Sequence, residues 1–267
     1  MNFKRYILLL VIIGVLFAIY NYYQISKFHI NKVKLNSNKL INPLRITQIT
    51  DFHSNENINL KKLFSDIKGF NPDIIVITGD LIDYKTRDLT MAFKILEQAK
   101  KITDRVYFVS GNHETNHVLE DEFYNGLAQY EVTVLDDIST EVRLNENEIS
   151  ILGASFFAEK DDFEGIYKDI SEKGYNILLS HSPNRPIMYI NEKLDLILSG
   201  HTHGGQVRLP IIGGIIAPGQ GFFPKYDKGL FKFGNTTLYI DSGLGNSVYP
   251  IRMFNRVQIS NIEILPR

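Results

Sequence analysis

The sequence contains no cysteine among its 267 residues. This absence excludes disulfide bonds and every metal site that needs a thiolate ligand. A metal ion bound by this chain must therefore be held by histidine, aspartate, glutamate, asparagine or backbone oxygen. The absence is compatible with a location outside the cytoplasm and leaves the compartment open.

The sequence also lacks an excess of charge of either sign. Lysine and arginine together number 29, and aspartate and glutamate 30, so the net charge is -1. Because there is no polybasic run, we expect no nucleic-acid partner. Hydrophobic residues make up 44% of the chain and charged residues 22%, as in an ordinary globular protein. The length suits one large α/β domain or two small ones.

One long hydrophobic run lies at the N-terminus. Lys4 and Arg5 precede an unbroken apolar stretch over residues 6–20. A helix of about 20 residues spans the roughly 30 Å hydrocarbon core of a bilayer, so we predict a transmembrane signal anchor over residues 1–26. A cleaved signal peptide is the main alternative, but the run does not end in a small-x-small cleavage pattern. A core helix would be amphipathic, and this run is not.

The charges that flank the anchor are nearly balanced. Lys4 and Arg5 precede it, and Lys27, Lys32 and Lys34 follow it. The basic charges lie closer on the N-terminal side, which favours an N-terminus inside the cell. We therefore expect a single-pass protein of the cell membrane with an extracytoplasmic domain.

The rest of the chain predicts an α/β domain. Residues 27–43 are polar, and we expect a stalk or linker there, followed by a domain over residues 44–267. Short apolar runs alternate in this domain with amphipathic stretches of helical spacing, a pattern typical of an α/β sheet. The apolar runs cover residues 45–49, 73–77, 106–109, 177–180 and 196–199. Further strands are predicted over 141–152, 207–209, 237–240 and 256–265, and they favour a second, more antiparallel sheet.

Each of the five apolar runs is followed by residues that bind hard or borderline metals. These residues are Asp51 and His53, Asp80, Asn112 and His113, His181, and His201 and His203. Alternate residues on an extended strand end point the same way, so each i, i+2 pair could chelate one ion. Each segment is a weak signal alone. Ligands of α/β sheets bind beyond the carboxyl ends of strands, so the five segments together predict a two-metal hydrolase.

In this order the segments resemble the signature of the calcineurin-like metallophosphoesterase family. The strings Gly200–Gln206, Gly243-Leu244-Gly245 and Pro250-Ile251-Arg252 resemble its small, membrane-associated bacterial branch. The resemblance implies an α/β fold, a four-layer αββα sandwich of two mixed sheets flanked by helices. It also implies two divalent metal ions, of which Mn, Fe or Zn suits such mixed nitrogen and oxygen ligands. By resemblance, Asp51, His53, Asp80 and His203 hold the first ion, and Asp80, Asn112, His181 and His201 hold the second.

The resemblance implies hydrolysis of a phosphate ester, with a phosphodiester as the expected substrate. A metal-activated hydroxide attacks phosphorus, and His113 is the expected catalytic residue that protonates the leaving group or stabilises the phosphoryl group. Glu114 and Asp83 either orient ligands or are merely capping carboxylates. His29 and His117 are expected to bind no metal.

The substrate is left open by the sequence. It is a phosphorylated small molecule or a lipid-linked ester, and the Gly- and aromatic-rich loop over residues 218–231 either shapes access or simply closes the second sheet. One alternative activity is a pyrophosphohydrolase acting on a nucleotide-linked sugar or lipid. Another is a non-catalytic metal-binding interaction protein of the same fold.

Overall fold

Two mixed six-stranded sheets pack face to face, and helices cover both outer faces. The computed structural model describes residues 3–168, 170–247 and 249–267. The expected four-layer αββα sandwich is confirmed. The first two residues of the predicted anchor lie outside the described residues.

The first sheet has the strand order β1-β16-β2-β3-β4-β5. Its strands are β1 (His29–Ser37), β2 (Leu44–Ile49), β3 (Ile74–Thr78), β4 (Val106–Val109), β5 (Thr133–Val134) and β16 (Gln258–Pro266). Strands β2 to β5 run parallel, and β16 pairs antiparallel with β2 and parallel with β1. The predicted C-terminal strand thus joins the first sheet rather than the second.

The second sheet has the order β14-β15-β9-β8-β7-β6. Its strands are β6 (Ser139–Leu144), β7 (Asn147–Ala154), β8 (Tyr175–Ser180), β9 (Leu196–Ser199), β14 (Gly229–Phe233) and β15 (Thr236–Ile240). Only its two edge pairs are antiparallel. The second sheet thus has two antiparallel pairs against one in the first, as expected, although its central strands β8 and β9, which are buried on both faces, pair in parallel.

Six helices and two small hairpins complete the described fold. The helices are α1 (Phe3–Ser26), α2 (Leu60–Phe70), α3 (Thr90–Lys100), α4 (Glu120–Gln129), α5 (Lys160–Tyr167) and α6 (Asn184–Met188). The hairpins pair β10 (Arg208–Leu209) with β11 (Gly213–Gly214), and β12 (Ile216–Ala217) with β13 (Gly221–Phe222).

The alternation of side chains along each strand builds the layers. In β3, Ile74 and Val76 point into the core between the sheets, whereas Ile75 and Ile77 pack under helices α2 to α4. The outer face of the second sheet packs on α5 and α6 in the same way. Both sheets are thus buried on two sides, and their strand ends meet at one edge.

The segment expected to be a stalk is part of the folded domain. Residues 29–37 form β1, which pairs with β16 over its whole length. Val33 is buried, whereas Lys32 and Lys34 are not. The polar residues that suggested a linker suit an edge strand equally well, because its lysines face solvent and discourage pairing with a further strand.

The N-terminal helix is long and apolar enough to cross a membrane, and its most apolar 18-residue window is 0% buried. Its last turns, by contrast, contact the domain. Asn21 donates to the Pro250 carbonyl at 2.8 Å and accepts from Arg252 N at 2.9 Å. The Tyr20 hydroxyl accepts from Phe254 N at 2.9 Å. The end of the helix is therefore fixed to the loop that precedes β16.

Candidate metal centre

The predicted site residues meet at the edge where the two sheets end. Strands β2, β3 and β4 of the first sheet and β8 and β9 of the second point their carboxyl ends to this edge. The loops that follow carry all eight predicted residues: Asp51, His53, Asp80, Asn112, His113, His181, His201 and His203. Backbone contacts join these loops, since both Asp51 oxygens accept from His201 N at 3.0 Å.

The loops are sharp turns rather than extended strand ends. Five of the site residues have φ between 48° and 66°: Asp51, His53, Asp80, His201 and His203. The extended i, i+2 geometry expected for the two pairs is therefore wrong, although the pairs do converge. A left-handed backbone at a non-glycine residue costs about 1–3 kcal/mol and persists only where surrounding structure enforces it. Such strain is typical of functional sites.

Two glycines allow the loops to approach this closely. A Cβ atom on Gly111 would collide with the Asp80 carboxylate, and one on Gly200 would collide with Asp51 and Thr50. Glycine is therefore needed before Asn112 and before His201, because the side chains of neighbouring loops leave no space there for a Cβ atom.

The first cluster consists of Asp51, His53 and His203. The two imidazoles face each other with their Nε2 atoms 3.3 Å apart. His203 Nε2 lies 3.5 Å from Asp51 Oδ1. His53 Nε2 lies 3.6 Å from Asp80 Oδ2, so the Asp80 carboxylate adjoins this cluster.

The second cluster consists of Asp80, His181 and His201. Asp80 Oδ2 lies 3.1 Å from His181 Nε2, which in turn lies 3.1 Å from His201 Nδ1. His181 Nδ1 lies 2.7 Å from the Thr78 carbonyl, an acceptor that requires a proton on Nδ1 and so directs Nε2 towards Asp80. Among the described residues, the buried Asn112 Oδ1 has no hydrogen-bond partner. An unpartnered buried acceptor on the loop beside this cluster fits a divalent cation.

Burial sets the charge of the histidines. Desolvation lowers the pKa of His53 to about 4 and that of His201 to about 3, and it lowers the pKa of His203 well below its usual value. These rings are therefore neutral near pH 7 and can offer lone pairs to a metal.

The two carboxylates behave oppositely. Burial, with the Asp80 charge, raises the pKa of Asp51 to about 7. Burial would also raise the pKa of Asp80, but His181 and the neighbouring histidines lower it below its usual range. Burial would lower the pKa of His181, but the charge and hydrogen bond of Asp80, with the Asp51 charge, raise it to about 10, so a divalent cation bound there would take the place of that ring's second proton.

Glu114 holds two of the loops together. Its buried carboxylate accepts from Asp80 N at 2.9 Å, from Leu81 N at 2.7 Å and from Gly111 N at 2.8 Å. Of the two readings left open by the sequence, the structure supports the orienting one. Asp83 instead caps its own turn by accepting from Lys85 N.

His113 lies at the mouth of the site, where its side chain is partly exposed, and it forms a third group of possible metal ligands with His53 and Asp80. Its Nδ1 accepts from Tyr84 N at 3.2 Å, so the neutral ring carries its proton on Nε2. That Nε2 lies 3.9 Å from Asp80 Oδ2. The Tyr84 ring stacks on His113, with centroids 5.9 Å apart. A proton is therefore held at the face of the site that is open to solvent.

Three neighbours of the site were not predicted from the sequence: Tyr84, Phe156 and Arg252. Phe156 packs against His181 and His201. Arg252 is fully buried, donates to the Ser242 and Gly245 carbonyls at 2.6 Å, and lies 3.4 Å from His203 Nδ1. The only sequence signal was the Pro250-Ile251-Arg252 string, which names no contact. As expected, His117 is not a ligand, because both ring nitrogens contact backbone atoms of Asp83 and Leu119.

Comparison with known proteins agrees with this geometry. The profile of the calcineurin-like phosphoesterase family matches residues 44–205, which carry all of the residues in the two clusters. The chain belongs to this family. It is a metal-dependent phosphoric ester hydrolase of a family that uses two divalent ions.

Several relatives cover most of the chain. An uncharacterized metallophosphoesterase of Bacillus subtilis, YkuE, is 30% identical over 229 residues, which are 81% of this chain and 77% of that protein. Phosphodiesterase YaeI of Escherichia coli is 27% identical over 84% of this chain and 83% of its own. A zebrafish protein named "Transmembrane protein with metallophosphoesterase domain" is 28% identical over 98% of this chain and 63% of its own.

Solved structures share the fold. A 5'-nucleotidase precursor from Thermus thermophilus matches with a TM-score of 0.53 at 11% identity, over 84% of this chain and 54% of that one. An NAD nucleotidase from Haemophilus influenzae matches with a TM-score of 0.52 at 17% identity, over 76% and 46% of the two chains. The chain thus spans about half the length of these enzymes.

Proposed function

We propose that the protein is a membrane-anchored phosphoesterase that hydrolyses a phosphodiester with two divalent ions. The observation that carries the proposal is the position of Asp80. Its Oδ2 lies 3.6 Å from His53 Nε2 and 3.1 Å from His181 Nε2. One carboxylate between two ligand clusters is what a pair of ions about 4 Å apart requires. Similarity to a protein named a phosphodiesterase favours a diester substrate.

The clusters suggest a division of the ligands. Asp51, His53, Asp80 and His203 would hold one ion, and Asp80, Asn112, His181 and His201 would hold the other. Nitrogen and oxygen ligands in this mixture suit Mn, Fe or Zn. When bound, two such ions lower the pKa of a shared water and polarise the phosphoryl oxygens.

The chain's own groups supply position and a proton. His113 carries a proton on Nε2 because its Nδ1 accepts from Tyr84 N. From the mouth of the site this proton can pass to the oxygen of the leaving alkoxide. Glu114 keeps the Asp80 and Gly111 loops at a fixed separation through its backbone hydrogen bonds. Preorganised groups of this kind need no rearrangement during the reaction.

An assay of the full chain tests the activity. The shorter protein that begins at Lys27 is unsuitable, because it loses the hydrogen bonds of Tyr20 and Asn21 to the loop before β16. With Mn²⁺ added, we expect turnover of a generic phosphodiester that exceeds turnover of a monoester or a nucleotide-sugar pyrophosphate. Faster cleavage of the pyrophosphate would favour a pyrophosphohydrolase. Absence of all turnover with both ions bound would favour a non-catalytic binding protein.

Variants test the assigned ligands. We expect Asn112→Ala and His201→Ala to abolish turnover, since each removes a ligand of the second ion. Asn36→Ala is a matched control, because Asn36 is exposed on β1 far from the site. Full activity in either ligand variant would contradict the assignment.

The absence of cysteine provides a clean test of the membrane orientation. In the proposed topology the domain is extracytoplasmic, so Asn36→Cys should react with a membrane-impermeant thiol reagent in intact cells. Phe3→Cys, at the other end of α1, should react only after permeabilisation. The opposite pattern would reverse the topology, and recovery of both variants in the soluble fraction would contradict the anchor.

A further inference from the structure

An apolar cavity of about 670 Å³ adjoins the first ligand cluster. Thr202, His203, Val207, Ile215 and Ile216 are among the residues that line it. His203 lines the cavity and its Nε2 faces Asp51, so a single side chain lies between the cavity and the cluster. A phosphate ester bound at the cluster could therefore extend a substituent into this space.

One wall of the cavity is fixed to the N-terminal helix. Tyr249 and Ile251 line this wall, and they flank Pro250, whose carbonyl accepts from Asn21. Asn21 lies one residue beyond the apolar run of α1, where a membrane-spanning helix leaves the hydrocarbon. The cavity thus opens near the level of the bilayer surface.

The rim of the cavity is apolar and exposed. Phe222 lies on β13 opposite the lining residue Ile216 and is 73% exposed, Phe223 follows it and is 64% exposed, and Tyr249 is 71% exposed. Exposed large apolar side chains that form a contiguous patch mark an interaction site in soluble proteins. Tyr249 is next to Pro250, which is hydrogen-bonded to Asn21 near the end of α1, and the protein leaves the apolar window of α1 unburied, so a lipid surface is the neighbour that suits both.

The chemistry of the cavity favours a hydrocarbon chain over a nucleoside. A base would need free hydrogen-bonding groups, but the Gln206 amide nitrogen already donates to the Tyr249 and Ile251 carbonyls, the latter at 3.1 Å. The Thr202 hydroxyl donates to the Asp227 carbonyl. Most of the remaining lining is aliphatic, aromatic or glycine. In an apolar site whose polar side chains already have hydrogen-bond partners, burial of a ligand's methylene groups stabilises the complex.

We propose that this cavity binds the hydrocarbon chain of an amphiphilic phosphate ester taken from the bilayer, with the phosphate at the metal centre. The inference rests on the proposed function and narrows its substrate to lipid-like esters. Two roles were open for the loop over residues 218–231, shaping access to the site and closing the second sheet, and different parts of the loop suit each role. Pro218, Gly219 and Gly221 line the cavity, whereas Tyr226 and Phe231 pack against the second sheet.

The test uses the full chain in lipid nanodiscs with Mn²⁺ and p-nitrophenyl alkyl phosphates of two to eight carbons. Each fully buried methylene contributes up to about fourfold. We therefore expect kcat/KM for the eight-carbon ester to exceed that for the two-carbon ester by at least about tenfold. Hydrolysis without chain-length dependence would overturn the cavity proposal and leave the phosphodiesterase intact.

Paired variants separate the cavity from general partitioning into the nanodisc. Ile216→Ser and Ile251→Ser should lower the ratio between the eight-carbon and two-carbon esters by roughly threefold to tenfold, because each removes part of a wall. Ile138→Ser is the control, since Ile138 is 53% exposed, as against 48% for Ile216, and lies outside the cavity. An equal ratio in all three variants would overturn the proposal.

A binding measurement keeps the test independent of turnover. Calorimetry with alkylphosphonates of the same lengths, on Mn²⁺-loaded protein, should show affinity that rises with chain length and falls in Ile216→Ser. If esters are not hydrolysed but this dependence is present, the proposed function fails and the cavity assignment stands. Affinity that is independent of length would overturn the cavity assignment.

Discussion

The two sides of His203 differ in almost every physical respect. On one side, carboxylates and imidazoles are buried, mutually oriented and held by strained turns. On the other, the cavity between the 215–221 segment and Tyr249–Ile251 is open, aliphatic and rimmed by exposed aromatic rings. The polar side determines what reaction is possible, because it fixes where cations and a proton lie. The apolar side determines which ester reaches that reaction.

The largest expected effect concerns the centre of the polar side. Asp80→Asn keeps the shape of the side chain but removes the charge shared by the two clusters. We expect turnover to fall by roughly a thousandfold or more, as when a group that stabilises transition-state charge is lost. Metal analysis should show that at least one ion per chain is lost.

Asp66→Asn is the control for that variant, because Asp66 lies on α2 and pairs with Lys62 on the surface. It should keep two ions and full turnover. Two tightly bound ions and normal turnover in Asp80→Asn would contradict the claim that the two clusters depend on the Asp80 carboxylate.

His113→Asn tests the proton at the mouth. Loss of a positioned general acid costs roughly a hundredfold to ten-thousandfold in turnover. Metal content should stay at two ions, since His113 lies outside both proposed ligand sets. His29→Asn, at the start of β1, should be unaffected. Loss of both ions from His113→Asn would instead make His113 a ligand.

Glu114→Gln tests the support behind the ligands. Both oxygens of Glu114 accept backbone N–H groups, so an amide in either orientation directs its own N–H at a donor. Groups that orient metal ligands typically contribute tenfold to a hundredfold in metal affinity, and we expect a loss of about that size by titration with Mn²⁺. Glu122→Gln, exposed on α4, should bind normally. Unchanged affinity in Glu114→Gln would make this carboxylate a purely local cap.

The smallest expected effect concerns the hydrogen bond from Tyr84 N. Tyr84 occupies the second position of a turn in which Thr86 N donates to the Asp83 carbonyl, and proline suits that position. Tyr84→Pro removes the N–H that sets the His113 tautomer, whereas Tyr84→Ala keeps it. The free energy of one hydrogen bond corresponds to a change of about threefold to tenfold in a rate constant. We therefore expect kcat to be lower by that factor in Tyr84→Pro than in Tyr84→Ala. Equal values would show that the bond is dispensable.

The polar side could be predicted from the sequence because its chemistry resides in residue types at strand ends. Aspartate, asparagine and histidine after five apolar runs indicated candidate ligands that the fold brings together, even though the extended geometry expected for Asp51 and His53 was wrong. The left-handed turns depend on contacts between loops, such as Asp51 with His201 N, and no local pattern reports them. β1 was missed for a related reason, since its polar residues suit both an edge strand and a linker.

The apolar side could not be predicted in the same way. Its walls come from the segment around residues 202–221 and from Ser247, Tyr249 and Ile251, which only the fold brings together. Aliphatic and aromatic side chains also have many roles, so Phe222 and Tyr249 carry no signal until their exposure is known. Arg252 shows the same difficulty, because its ordinary place would be on the surface and here it is fully buried.

The central claim is that Asp80 joins two ions in one site, and electron paramagnetic resonance of the full chain with two equivalents of Mn²⁺ tests it most directly. Two ions about 4 Å apart with a shared carboxylate should give the broad spectrum of an exchange-coupled pair. The six-line spectrum of isolated Mn²⁺ should appear in Asp80→Asn. Six-line signals alone in the unaltered protein, with both equivalents bound, would contradict the account.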